Sequence, residues 1–370
     1  MTKRKIINDP VYDGFLSIDD PVILQVIEHP YFQRQRRIKQ LGLTYLVYPG
    51  AMHTRFSHML GALNLMKRAL DVLKLKGVEI SDEECRGAKL AILLHDIGHG
   101  PFSHTSERVL VDVPHEEITL LMMQRINEEM GGVLNTAIAI FSNTYHKHFL
   151  HQLVSSQLDM DRLDYLGRDS FFTGVSEGIV GTDRIISMLN VHDDELVVDE
   201  KGIYSVEKFI ISRRLMYWQV YMHKTVIAAD QLLLGILRRA RDLDVSPFTF
   251  HLSPFDLDRF AEVDDDDVMV AVKHWQHSDD EILSTLCRNL VNRRLPAIRL
   301  SNTPFEDVEC DYFHGTGELH NRSYDFNDQE IKVLYKDGRC LPISEASDQL
   351  DRHFLEKQVT KYYHYYPKEQ

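Results

Sequence analysis

Features that mark disulfide scaffolds, membrane proteins and nucleic-acid binders are scarce in this chain. Its 370 residues hold four cysteines, Cys85, Cys287, Cys310 and Cys340, with no CxxC spacing. That spacing argues against a disulfide framework or zinc ribbon and fits a reducing compartment, so a cytoplasmic location is expected. No run approaches the roughly 18 consecutive apolar residues of a membrane span. No apolar stretch follows Met1-Thr2-Lys3-Arg4-Lys5 as a secretory signal would require, so no membrane partner is expected. Positive charge is in deficit, with 42 Lys and Arg against 56 Asp and Glu and a net charge of −14. This balance disfavours binding nucleic acid through a broad basic face. Internal repeats and low-complexity tracts are absent. The remainder, 44% hydrophobic and 26% charged, is the composition of a globular protein long enough for one large domain or two.

Two compact basic clusters run against the charge balance: Arg34, Arg36, Arg37 and Lys39, and Arg238, Arg239 and Arg241. Each reads as an ion-paired or solvated helix face, or else as a pocket for a small anion. The acidic run Asp264–Asp267 reads as a solvated loop or a helix start.

Apolar periodicity is mostly helical. Pro30 splits residues 21–41 into two predicted helices. Residues 54–76 carry Phe56, Met59, Leu60, Leu63, Met66, Leu70 and Leu73 near the i, i+3, i+4, i+7 template. A helix over 84–95 delivers His95-Asp96 at its end, where Gly98 and Gly100 stop it. Further helices are predicted over 115–130, 134–144, 147–156, 159–171 and 182–190, then one long helix over 206–242. Alternation in Glu195–Val198 and Gly202–Val206 predicts a hairpin turning at Asp199-Glu200-Lys201-Gly202. Beyond Pro247 and Pro254, two shorter helices (265–276, 279–291) give way to strand-like runs at 297–300, 331–335 and 361–365. The expected fold class is mainly α: a helical core over 1–250 with a short β-hairpin, and a smaller α+β appendage over 251–370.

The chemistry concentrates in Ala91-Ile92-Leu93-Leu94-His95-Asp96-Ile97-Gly98-His99-Gly100-Pro101-Phe102-Ser103-His104. An apolar run ending in an imidazole and a carboxylate needs a partner that repays desolvation, and a divalent metal is the obvious one. His58 and Asp161 interrupt two further core-like helices. Taken singly, each His reads as a core histidine and each Asp as a cap or an ion-pair partner. Taken together, His58, His95, Asp96 and Asp161 read as a ligand set from three helices, with positions left open for catalysis.

His58…His95-Asp96…Asp161 resembles the H…HD…D signature of the HD-superfamily metal-dependent phosphohydrolases. Asn8-Asp9-Pro10, Ile38-Lys39-Gln40-Leu41-Gly42, Pro49-Gly50-Ala51, Arg55-Phe56-Ser57-His58, the His95–His104 segment and Asp161-Arg162-Leu163-Asp164-Tyr165…Arg168-Asp169 resemble its deoxynucleoside triphosphate triphosphohydrolase branch. The likeness covers roughly residues 5–240. It implies an HD-type helical fold and one divalent ion (iron, manganese, nickel, zinc or magnesium) held by His58, His95, Asp96 and Asp161. It also implies catalytic roles for His104, Glu107 and His115, with Glu107 standing where the family usually has Asp. Arg55, His99, Arg162, Tyr165 and Arg213 match phosphate-contacting positions; Gln40, Leu41, Asp169, Tyr221 and His223 match positions around sugar and base. The implied reaction is attack of metal-activated water on the α-phosphorus of a dNTP while His104 protonates the 5′-oxygen. Some relatives bind a nucleotide effector between subunits, where Lys5, Glu28 and Arg36 fall here, so a homo-oligomer (dimer or tetramer) is expected. Alternatives are an HD enzyme acting on a nucleoside monophosphate, cyclic nucleotide or alarmone, and a nucleotide-binding regulator.

Overall fold

The computed structural model describes residues 5–12, 14–111, 113–248, 256–306, 308–321, 324–325 and 330–368, without the side chains of residues 104, 106 and 108. An antiparallel hairpin of β1 (Lys5–Asn8) and β2 (Phe15–Ile18) opens the chain. Asp20 accepts the Val22 N–H to start α1 (Pro21–Glu28), and Pro30 then opens α2 (Pro30–Arg34), as its fixed φ favours.

The core is built around α3 (Arg55–Leu75), whose buried residues run round the helix and not along one stripe. A helix hydrophobic on all sides must be enclosed. Its partners include α4 (Asp82–Leu94), which starts in a Ser81–Glu84 capping box. Then follow α5 (His104–Leu110), α6 (His115–Glu129), α7 (Asn135–Phe141) and α8 (His148–Gln152). The other major partner of α3 is α9 (Met160–Thr173), capped by the Asp159 side chain and closed by Gly174 at φ 74°. α10 (Thr182–Met188) leads into β3 (Leu189–His192) and β4 (Glu195–Asp199).

Two local expectations are corrected here. The hairpin joins β3 to β4 and turns at Asp193-Asp194, not at Asp199–Gly202. Both aspartates take positive φ (50° and 61°), as a tight two-residue hairpin turn requires. Residues 202–206 instead enter α11 (Ile203–Met216). Nor is 206–242 one helix: a π-turn over Tyr217–Tyr221 ends α11, His223 is extended, and α12 (Lys224–Asp242) departs at 55°. The Tyr48 hydroxyl donates to the Gln219 carbonyl, the acceptor a continuous helix would offer to the His223 N–H. His223 Nδ1 then caps the new helix by accepting the Thr225 N–H at 3.2 Å.

The rest of the chain forms α13 (Leu257–Glu262), α14 (Asp265–Trp275), α15 (Glu281–Val291), β5 (Ala297–Ser301), β6 (Gly315–Asn321), β7 (Lys332–Leu334), β8 (Cys340–Pro342), α16 (Ile343–Ala346), α17 (Arg352–Glu356) and β9 (Val359–Tyr366). β9 sits between β5 and β6, antiparallel to both. β7 pairs parallel with β4 (Val197↔Lys332, Val198↔Val333), so residues on both sides of position 250 share one sheet. One apolar cluster reaches from Leu16 to Leu355. The architecture is mainly α, a helical core with small β parts.

Asp264–Asp267 is a helix start and not a solvated loop: Asp264 and Asp267 form a capping box, and Asp265 is fully buried. The first basic cluster is largely spent on this segment. Arg37 pairs with Asp264, Lys39 Nζ lies 3.5 Å from Asp265, and buried Arg34 donates to the Val263 carbonyl. From the second, Arg239 pairs with Asp280 at 2.6 Å. Among the described residues, no single helix is long and apolar enough to cross a membrane.

Candidate metal and phosphate site

His58 projects from the first turn of α3, His95 caps the end of α4, and Asp161 lies in the first turn of α9. Three helix ends thus meet at one point. His58 Nε2 and His95 Nε2 are 3.3 Å apart, and Asp161 Oδ1 is 3.1 Å from the first and 3.3 Å from the second. Asp96 stands 3.6 Å from each imidazole.

The opposite ring nitrogens decide what this contact is for. His58 Nδ1 faces Asp164 Oδ2 at 2.7 Å, and His95 Nδ1 faces the Ile92 carbonyl at 2.6 Å. Both partners only accept, so both Nδ1 atoms donate. In their neutral form the two rings would therefore turn both Nε2 lone pairs toward one point beside a carboxylate. Two neutral imidazoles with Asp96 and Asp161 carry two negative charges, and this donor set fits a divalent ion. Burial would lower the His58 pKa, but hydrogen bonds to Asp161 and Asp164 push it up to about 10. Against burial, Arg55 and the neighbouring imidazoles hold Asp96 well below the usual carboxylate range. His95 and His58 do the same for Asp161. The cluster attracts positive charge from every side.

Several of the sequence-predicted residues lie beside it. Buried Arg55 binds Asp96 through Nη1 and gives Ser103 Oγ two further hydrogen bonds, of 2.8 and 3.1 Å. His99 packs on His115 with ring centroids 3.8 Å apart, and its Nδ1 is 3.5 Å from Asp96. Glu107 Oε1 accepts from both the backbone and the ring Nδ1 of His115, each at 2.9 Å, so glutamate reaches its partner despite its extra methylene. His104 opens α5, but its side chain lies outside the described residues. Arg162 Nε is 3.6 Å from Asp159 Oδ2, and Arg213 Nη1 is 3.3 Å from Gln157 Oε1.

Farther out, Asp169 accepts from the Tyr221 hydroxyl (2.8 Å) and pairs with His53 (2.7 Å). The Tyr221 ring meets that of Tyr165 edge-on at 6.2 Å. Gln40 donates its backbone N–H to the His53 carbonyl while its buried Oε1 has no hydrogen-bond partner among the described residues; Leu41, beside it, is half-buried. His223 is spent on the α12 cap. Tyr221 and His223 therefore lie on either side of a break, not round one helix. Lys5 lies 3.9 Å from Glu28, whereas Arg36 lies over the Phe56 ring, 3.5 Å from its centroid.

Sequence reasoning quoted Asp9, Asp164 and Arg168 in its matching segments but gave these supports of the cage no role. Asp164 holds His58 and also takes Arg168, whose guanidinium binds Asp9, and the Tyr12 hydroxyl. A signal existed: Asp164 and Arg168 are charged positions i, i+4 on an otherwise apolar helix face. Asp230, which accepts from Thr105 at 3.0 Å, gave none.

A helical bundle with a His-His-Asp cage at three helix ends defines an HD-type hydrolase fold. Residues 55–169 match the HD domain, and residues 180–318 match the HD associated region. A solved phosphohydrolase from Bacteroides thetaiotaomicron VPI-5482 superposes with a TM-score of 0.95 at 46% identity, over 99% of this chain and 100% of that one. YwfO of Bacillus subtilis, an uncharacterized protein, is 36% identical over 80% of this chain and 72% of its own length. Human SAMHD1, a deoxynucleoside triphosphate triphosphohydrolase, is 29% identical over 64% of this chain but only 45% of its own length. The chain belongs to the HD-domain phosphohydrolases.

Proposed function

We propose that this chain is a dNTP triphosphohydrolase, releasing deoxynucleoside and intact triphosphate. The observation that carries the reading is the convergence of His58, His95 and Asp161 beside the Arg55–Asp96 pair. His58, His95, Asp96 and Asp161 would hold one divalent ion (iron, manganese, nickel, zinc or magnesium). That ion, when bound, polarises a phosphoryl oxygen and acidifies water. Arg55, His99, Arg162, Tyr165 and Arg213 neutralise and orient the phosphates, guanidinium groups suiting this role through bidentate geometry. As the Pα–O5′ bond breaks, His104 gives its proton to the departing 5′-oxygen, and the Glu107–His115 pair orders the same wall of the site. Gln40, Leu41, Asp169, Tyr221 and His223 surround sugar and base. The Tyr221 ring, held by its hydrogen bond to Asp169, would form a floor under the sugar that excludes a 2′-hydroxyl and so favours dNTP over NTP. Lys5, Glu28 and Arg36 would take a nucleotide effector where subunits of a dimer or tetramer meet, and the enzyme would work in the cytoplasm.

The test is product analysis over the four dNTPs and GTP, with elemental analysis of the purified protein. Inorganic triphosphate from dNTPs and a retained transition metal or magnesium are expected. Pyrophosphate or orthophosphate as product, or equal hydrolysis of GTP and dGTP, would favour another nucleotide substrate. Nucleotide binding without turnover across several metals would favour a regulator. His104→Ala should keep the metal and lower kcat by about 10²–10⁴-fold.

A further inference from the structure

We propose that Asp265, in the HD associated region, is a positioning residue that ties the substrate-reading turn at Lys39–Gly42 to the loop between the cation cage and α5. The proposal rests on the reading of the site given above. Asp265 is wholly buried, and its two oxygens take different partners. Oδ1 accepts the Phe102 N–H at 2.8 Å, and Oδ2 accepts the Lys39 N–H at 3.0 Å. Both donors are backbone amides, so both oxygens must accept. Asparagine would set an NH2 group against one of those N–H groups.

The Phe102 amide lies at the most constrained point of the loop. Phe102 and Ser103 have φ of 55° and 52°, a left-handed region that non-glycine residues seldom enter. Such backbone persists only where its surroundings over-determine it. Here Thr119 Oγ1 accepts the Gly98 N–H (3.0 Å), Gln35 Nε2 donates to the Ile97 carbonyl (2.9 Å), and Arg34 Nη1 donates to the His99 carbonyl (2.9 Å). Asp265 holds the first amide of the strained pair, while the Ser103 N–H donates to the Gly100 carbonyl (3.1 Å). Ser103 next door carries the Arg55 guanidinium, which binds Asp96.

At the other oxygen, Lys39 immediately precedes Gln40 and Leu41. Gly42, at φ 49°, comes so close to the loop that a Cβ there would lie 3.3 Å from the Phe102 carbonyl oxygen. The turn and the loop therefore meet backbone to backbone, with Asp265 bonded to both. Displacing that carboxylate moves the base-reading and phosphate-reading walls together.

Asp265→Asn is the test, with Val272→Ala, buried in the same helix away from the loop, as control. Asp265→Asn is expected to lower kcat about 10–100-fold, the cost of an ångström-scale misplacement, and to raise KM with it. Metal content should stay within about twofold, and amide exchange in the 97–104 peptide should rise. Val272→Ala should lower thermal stability and leave kcat, KM and that exchange unchanged. Unchanged constants and protection in Asp265→Asn overturn the proposal, as does Val272→Ala reproducing its effects. Should Asp265→Asn fail to fold, Gly42→Ala probes the same contact from the other side. It should raise KM and lower kcat together, and unchanged constants would again overturn the proposal. If the wild type hydrolyses no dNTP, the functional reading fails alone, and the exchange comparison decides the role of Asp265.

Discussion

Within residues 55–169, charge lies in the interior, and at the cage the buried charges face opposite ones. Asp164 sits between His58 and Arg168, all three side chains fully buried, and Asp96 faces Arg55 and three imidazoles. The β5–β9–β6 sheet does the reverse: its Glu318 and His320 are about half exposed and touch each other at 3.2 Å in water. Burying a charge costs several kcal/mol unless it is paired and hydrogen-bonded, whereas a surface pair is worth about 0–1 kcal/mol. A chain that bears the first cost repeatedly in one place has a use for it there. The outer sheet only needs to remain folded and wet.

The sharpest attack on that contrast is Asp161→Ala. It should abolish metal retention in elemental analysis and bring turnover to background while the helical circular dichroism persists. Retained metal would mean that the buried cluster is structural. Asp164→Asn should be milder, weakening metal affinity by about 10–100-fold in a competition titration, because it loosens the orientation of His58 without removing a ligand.

Asp230, half-buried and in no salt bridge among the described residues, tests whether such a charge is costly. Burial pushes its pKa up to about 7 despite the Thr105 hydrogen bond. The folded state then binds a proton that the unfolded chain has released, so stability falls as pH rises from about 4 to 7 and levels off above. Asp230→Asn should match the wild type in urea unfolding near pH 4.5 and exceed it by on the order of 2 kcal/mol near pH 8. An equal margin at both pH values would break the argument. Least of all should Glu318→Gln matter, shifting stability by less than about 0.5 kcal/mol; a larger loss would mean that the outer sheet also depends on its charges.

The legible parts of the site were those where charge interrupts a local apolar pattern. His58, His95, Asp96 and Asp161 each break a helix period, so the pattern alone drew attention to them. The break at Met222–His223 left no such trace, since no proline lies between 206 and 242 and no glycine before Gly235. It arises where Tyr48 takes a carbonyl from a helix 171 residues away. The hairpin was misplaced because Asp199–Gly202 also carries turn residues, whereas the chain turns at Asp193-Asp194, both at positive φ. For Asp264–Asp267 the sequence left a solvated loop and a helix start both open, because only the fold brings Arg37, Lys39 and two backbone amides to them.

What the sequence determined alone was the succession of helices and the residue types that gather at their ends. Helix periods and caps act over three or four residues, and composition carries them. Which helix ends meet, where α12 turns away from α11, and which acid is buried against the Phe102 amide were settled only in the folded chain. Those contacts join residues far apart in the chain, from 37 positions for His58 and His95 to 163 for Phe102 and Asp265. Their free energy comes from excluding water around both partners at once, which no local segment can do by itself.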